Sequence, residues 1–226
     1  MKDAPEHGSL HVRNFPFLPI AKKTISLLLR PVKRIDDFVR MKRHILFDRF
    51  CYVHIPKTGG TSVEKALGLP HRHDHISTWR LWYGNDNFER RFKFTVVRNP
   101  WDLNVSLYHF RRSTSQLPYD VDFSDWLRLV YIDGNPQFYA WPHWERKGQF
   151  WWISDENGKC LADFVARFET LSRDWAFISQ NVGRSTSLPH LNSSNRRKGY
   201  CKYYSAADVD IIATAYSKDI EEFGTI

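Results

Sequence analysis

The stretch from Phe50 to Leu69 constrains this chain more than any other part of it. Phe50–Ile55 (FCYVHI) is a short apolar run rich in strand formers. Pro56–Gly60 (PKTGG) is a turn, and Thr61–Leu69 carries Val63, Ala66 and Leu67 on one helical face. A strand that enters a helix through a glycine turn aims backbone N–H groups and the positive end of the helix dipole at whatever lies over the turn. That arrangement favours a bound phosphate. Gly59 and Gly60 permit close backbone approach, Thr58, Thr61 and Ser62 offer hydroxyl donors, and Lys57 supplies a point charge. The common nucleoside-triphosphate loop, GxxxxGK[ST], has its lysine after the glycines. Here the lysine precedes them, and no apolar run ending in Asp follows to hold Mg²⁺. A P-loop-type kinase is therefore the second reading, and no metal is expected.

Residues 94–106 repeat the topology. Phe92–Val97 (FKFTVV) reads as a strand, Arg98 stands at its carboxyl end, and a helix follows from Trp101 to about Arg111. Asn99 is a good cap, Pro100 suits the first helical position, and Asp102 suits the first turn. Ligands of open parallel sheets bind outside the carboxyl ends of the strands. Arg98 is thus placed for a bidentate phosphate contact, with Ser106 two helical turns further on.

Further helices are predicted after Ser124, between Ser172 and Gly183, and after Ser205, where Asp208 completes a capping box. Ile211, Ile212, Ala215, Tyr216 and Ile220 form the apolar stripe of the last one. Strands alternating with helices predict an α/β fold: a single domain with a central parallel sheet and helices on both faces.

The formal charge is +8 but uneven: residues 1–50 hold +6 and the other 176 hold +2. A nearly neutral body argues against a nucleic-acid footprint. We read residues 1–47 as a basic arm, partly an amphipathic helix, and 48–226 as the domain. Ile35, Phe38 and Val39 alternate with Lys33, Arg34, Arg40, Lys42 and Arg43, a pattern suited to peripheral contact with an anionic membrane or another polyanion. A non-enzymatic polyanion-binding role is a further alternative. The apolar cluster at Ile25–Leu29 is too short for a signal peptide, and no run of eighteen apolar residues exists. The reading is a cytoplasmic protein, able to rest on the inner membrane surface. Cys51, Cys160 and Cys201 are odd in number and far apart, so no disulfide framework or zinc ribbon is expected.

PKTGGTS after a strand, followed by FTVVRNPWD and then Ser106, resembles the sulfotransferases that use 3′-phosphoadenosine 5′-phosphosulfate (PAPS). The likeness is nearest to the carbohydrate O-sulfotransferases of heparan-sulfate type and their short bacterial relatives. It runs from about Tyr52 to Phe223 and includes DFV at 163–165, RFE at 167–169, LPHLN at 188–192 and DIEEFG at 219–224. The resemblance implies that Lys57, Thr58, Gly59, Gly60, Thr61 and Ser62 hold the 5′-phosphosulfate, and that Arg98 and Ser106 hold the 3′-phosphate. It also implies that Arg196 and Lys198, in the run Arg196–Gly199, close over the nucleotide. PAP is the implied product and a carbohydrate hydroxyl the implied acceptor. Leu103 stands where relatives often carry Arg, so any contact made there is missing.

Sulfuryl transfer needs a proton acceptor for the hydroxyl and a cation near the leaving phosphate. Lys57 suits the second task. For the first, His71-Arg72-His73-Asp74-His75 lies between the two motifs. His75 is the first choice, because HISTW at 75–79 resembles the family's histidine segment, and His73 is the second. His-x-His-x-His also suggests a metal, but no Cys or carboxylate pair nearby completes a set. His54 reads as a strand residue able to line the site. Trp141, Trp144, Trp151 and Trp152, with Phe138, Tyr139 and Phe150, read as a packing cluster or as a platform for sugar rings.

Overall fold

The computed structural model describes residues 35–139, 144–189 and 199–224. Among the described residues three strands form one parallel sheet in the order β1 (Phe50–Val53), β2 (Phe92–Val97), β3 (Phe164–Arg167). Phe50 pairs with Phe92, and Phe94 with Phe164. β3 was legible only as part of the family likeness. It is four residues long, and tertiary contacts define its start: Asp163 accepts from the Lys93 backbone N–H at 2.8 Å and pairs with the Lys93 ammonium at 3.0 Å.

The helices are α1 (35–47), α2 (Gly60–Leu67), α3 (Ile76–Tyr83), α4 (Asn85–Glu89), α5 (Pro100–Ser113), α6 (Phe123–Leu127), α7 (Trp144–Lys147), α8 (Leu171–Val182), α9 (Ala206–Ala215) and α10 (Ser217–Phe223). None of the described helices is long and apolar enough to cross a membrane.

Alternate strand residues serve opposite faces, as the two-residue side-chain period requires. Phe50, Tyr52, Phe94, Val96 and Ala166 pack against Val63 and Leu67 of α2 and Leu171, Trp175 and Ile178 of α8. Cys51, Val53 and Val97 pack on the other face against Ile76, Trp79 and Tyr83 of α3, Phe88 of α4, and Trp152 and Ile153. Both faces are covered, so the strands read as continuous apolar runs. A third core joins α5, α6 and α9 through Leu107, Trp126, Leu127, Ile212 and Tyr216.

α1 lies against the sheet domain. Met41 and Ile45 pack on the core under α3, and His44 is buried between Tyr83 (2.7 Å) and Asp48 (2.7 Å). Residues 1–34 of the arm lie outside the described residues. The aromatic run is divided rather than one cluster. Phe138 and Tyr139 join the third core, while Trp151 and Trp152 pack by the sheet. Trp141 lies outside the described residues, as does the side chain of Trp144.

Of the four helix starts expected from sequence, two are capped as read, and Ser172 is instead the second residue of α8, which ends on Gly183. Asn99 accepts from the Trp101 and Asp102 N–H groups and starts α5. Ser205 and Asp208 form the capping box of α9. Asp122, not Ser124, caps α6, and its backbone continues as a π-turn through Ile132. The Ser124 hydroxyl is drawn instead to Asp208, at 2.7 Å.

Asp208 therefore accepts from the Ser124 and Ser205 hydroxyls and from the Ser205 N–H. Burial works against its charge, but the hydrogen bonds from Ser124 and Ser205 outweigh it and hold its pKa below the ordinary 3.8. A depressed carboxyl contributes stability above its unfolded pKa and loses it as pH falls through the folded value. We expect Asp208→Ala to cost about 1–2 kcal/mol at neutral pH in urea unfolding. The gap from wild type should close as pH falls below that ordinary value, and a pH-independent gap would remove the charge from the account.

Candidate functional site at the strand ends

The turn after β1 is tightly packed, with Pro56, Thr58 and Gly60 buried. Lys57 has φ +68°, a left-handed conformation that costs a non-glycine residue about 1 kcal/mol. The Thr58 hydroxyl, fully buried, donates to the Ile55 carbonyl at 2.8 Å and closes the turn. Gly59 follows at φ +86°, where a Cβ would press on the Phe168 ring at 2.9 Å. Gly60 begins α2 beneath the ring of His54, which would overlap any Cβ placed there. α2 has no side-chain cap and no acidic residue in its first turn. An anion over the loop would meet the helix dipole without a carboxylate in the first turn of α2. The Lys57 ammonium lies 4.5 Å from the centre of the Phe110 ring on α5.

The second motif holds this loop in place. Arg98 is buried at the end of β2, with its Nε and Nη2 on Asp102 at 2.7 and 2.6 Å. Its Nη1 donates to the Lys57 carbonyl at 2.8 Å, and its guanidinium stacks 4.1 Å from the Phe168 ring centre. One side chain thus ties motif to motif and supports the strained Lys57. The Arg98 backbone is in turn bound on both sides by the Gln149 amide, which Asp219 holds from α10. Asn99 N–H donates to Glu169 at 2.8 Å. Ser106 is buried on α5, and Thr61 and Ser62 lie in the first turn of α2. Arg196 and Lys198 fall outside the described residues.

The histidines divide into two groups. His75 caps α3: its Nδ1 accepts from the Ser77 N–H at 3.2 Å and the Ser77 hydroxyl at 2.7 Å. Its Nε2–H donates to the Trp151 carbonyl at 2.6 Å, and the rings pack at 4.6 Å. Burial lowers its pKa. Both ring nitrogens are thus engaged in bracing α3 against the turn at Phe150–Ile153. His73 is different. Its Nδ1–H donates to the His54 carbonyl at 3.1 Å, which leaves the lone pair on Nε2. Desolvation of the ring, with His54 beside it, pulls its pKa down to about 4, although the residue stands at the exposed surface. It packs on His54 at a centroid distance of 4.2 Å, over the start of α2.

Glu64, His54 and His71 complete this corner. Glu64 accepts from His54 Nδ1 at 2.6 Å and His71 Nδ1 at 2.7 Å. Burial opposes its charge, but the hydrogen bonds from His54 and His71 hold its pKa to about 2. Sequence reasoning passed over Glu64. The available signal was a carboxylate between Val63 and Leu67, on a helix otherwise apolar toward the sheet.

Removing one partner of a buried ion pair strands the other. We expect Asp102→Ala to lower unfolding free energy by about 3 kcal/mol or more. The loss should exceed that of Asp74→Ala, whose partner Arg72 is solvent-exposed. Equal losses would show that the Arg98 tie carries no special weight.

No curated protein matches the chain. Residues 44–224 match the sequence model described as the sulfotransferase family, which takes in the loop, the second motif, the histidine corner and all three strands. The chain is a member of the sulfotransferase family.

Proposed function

We propose that this enzyme takes its sulfuryl group from PAPS and delivers it to a hydroxyl, on a carbohydrate acceptor. Membership of the family carries sulfuryl transfer itself. The observation that supports the finer reading is the loop: a lysine held at positive φ, two glycines without Cβ, and a helix start free of acidic residues. These features fit a phosphosulfate. PAPS, when bound, supplies an activated sulfuryl group and a phosphate leaving group. In this reading Lys57 and the N–H groups of Gly59, Gly60 and Thr61 neutralise charge that develops on the leaving oxygen, with the Ser62 hydroxyl beside them. Arg98 and Ser106 orient the 3′-phosphate, with Asp102 keeping the guanidinium fork aimed.

His73 is the proposed acceptor of the hydroxyl proton. The geometry favours it over His75, the first choice from sequence, because the His75 ring is spent on Ser77 and Trp151. The reaction so described uses no metal.

A second surface supports the proposed peripheral contact with anionic membrane. Ile35, Phe38, Val39 and Leu46 share one exposed face of α1 with Lys42, opposite the buried His44.

Lys57→Ala should lower turnover by roughly 10² or more, as loss of a transition-state charge partner does. His73→Ala should abolish transfer and leave the thermal shift given by PAP without Mg²⁺ intact. His75→Ala should lower the melting temperature while keeping transfer measurable in the folded fraction. If His75→Ala alone abolishes transfer in folded protein, His75 is the acceptor. Stabilisation by ATP–Mg²⁺ but not by PAP would replace the donor assignment with a kinase. Phe38→Asp combined with Leu46→Asp should abolish co-sedimentation with phosphatidylserine vesicles, and unchanged binding would remove α1 from membrane contact.

A further inference from the structure

Three imidazoles meet over the start of α2. His54 comes from the residue after β1, and His71 and His73 from the segment before α3. Their ring centroids are 4.2 Å (His54–His73), 4.9 Å (His71–His73) and 5.4 Å (His54–His71) apart. One nitrogen of each ring lies within 4.8 Å of one on each of the others.

The hydrogen bonds decide the tautomer of each ring. Glu64 accepts from His54 Nδ1 through one oxygen and from His71 Nδ1 through the other. The His54 carbonyl accepts from His73 Nδ1. A carboxylate and a carbonyl only accept, so each Nδ1 carries the proton. The lone pair of every ring therefore stands on Nε2. Metal-binding histidines show this same pattern: the outer N–H goes to a carboxylate or carbonyl that fixes tautomer and ring orientation. Three tetrahedral Zn–N bonds of about 2.0–2.1 Å would set the ring centroids about 5 Å apart. The three observed separations bracket that value. Neutral imidazole donors suit zinc and its neighbours, and not Mg²⁺ or Ca²⁺.

We propose that His54, His71 and His73, oriented by Glu64, form a binding site for a divalent transition metal of zinc type. Sequence reasoning rejected a metal because His71, His73 and His75 lacked a completing ligand. The fold exchanges His75, turned away to cap α3, for His54 from the sheet. The ion would sit against the phosphate loop, since the His54 ring covers Gly60. It would also take the Nε2 lone pair of His73. Bound zinc then inhibits transfer, a consequence that rests on His73 being the proton acceptor.

The test uses the full chain, stripped with a chelator and titrated with ZnCl₂ against a chromophoric competitor. Wild type should bind one equivalent. Cobalt in its place should give the intense visible bands of a tetrahedral site. His71→Ala and Glu64→Gln should each weaken zinc binding by 10–100-fold or more. Absence of stoichiometric binding, or equal affinity in His71→Ala, overturns the site. His71→Ala is the safer variant, because that ring is half exposed and Glu64 is buried. In assays, zinc should inhibit wild type, and His71→Ala should resist it with its metal-free turnover unchanged. One equivalent of zinc with undiminished turnover would uphold the metal site and overturn His73 as proton acceptor.

Discussion

The site depends on one buried guanidinium. Arg98 ends β2, pairs with Asp102 one turn into α5, and reaches across to the carbonyl of Lys57. A lone buried charge is costly, and the Asp102 carboxylate removes that cost only while the fork geometry holds. The geometry holds because Gln149 grips the Arg98 backbone from both sides and Asp219 grips Gln149. The positive φ of Lys57 is unfavourable by itself. It is maintained by a contact from the neighbouring strand.

The parallel sheet explains why these groups meet. β1 and β2 are adjacent and point the same way, so both loops emerge at one edge of the sheet. β3 extends the same edge and brings Phe168 beneath Gly59 and Glu169 to Asn99. Opposing faces are sealed by α2 and α8 on one side and by α3 and α4 on the other. That burial leaves the strand ends as the place where backbone groups stay accessible to a ligand.

Much of this was readable in advance, and the reasons are local. The two strands and the helices that follow them announce themselves by period, glycine and cap. Asn99, Pro100, Ser205 and Asp208 act within one turn of chain, so their effect is fixed by neighbours in sequence. Ser124 misled because its hydroxyl has a better partner 84 residues away. β3 is too short for its pattern to stand out, and its backbone is recruited by pairing. His75 was equally unreadable in its surroundings: its hydrogen bond to the Trp151 carbonyl, 76 residues on, ties its ring to another part of the chain.

The sequence by itself determined the glycine turn after β1, the strand–helix alternation and the family. Each follows from residue type and short spacing. Only the tertiary structure decided how the charges are partnered. It joined Arg98 to Lys57, tied His75 to Trp151, and set His54 and His71 on the buried Glu64. Those pairings join residues from 7 to 76 apart, and they depend on which groups lose water together when the sheet closes. Spacing along the chain carries no record of that.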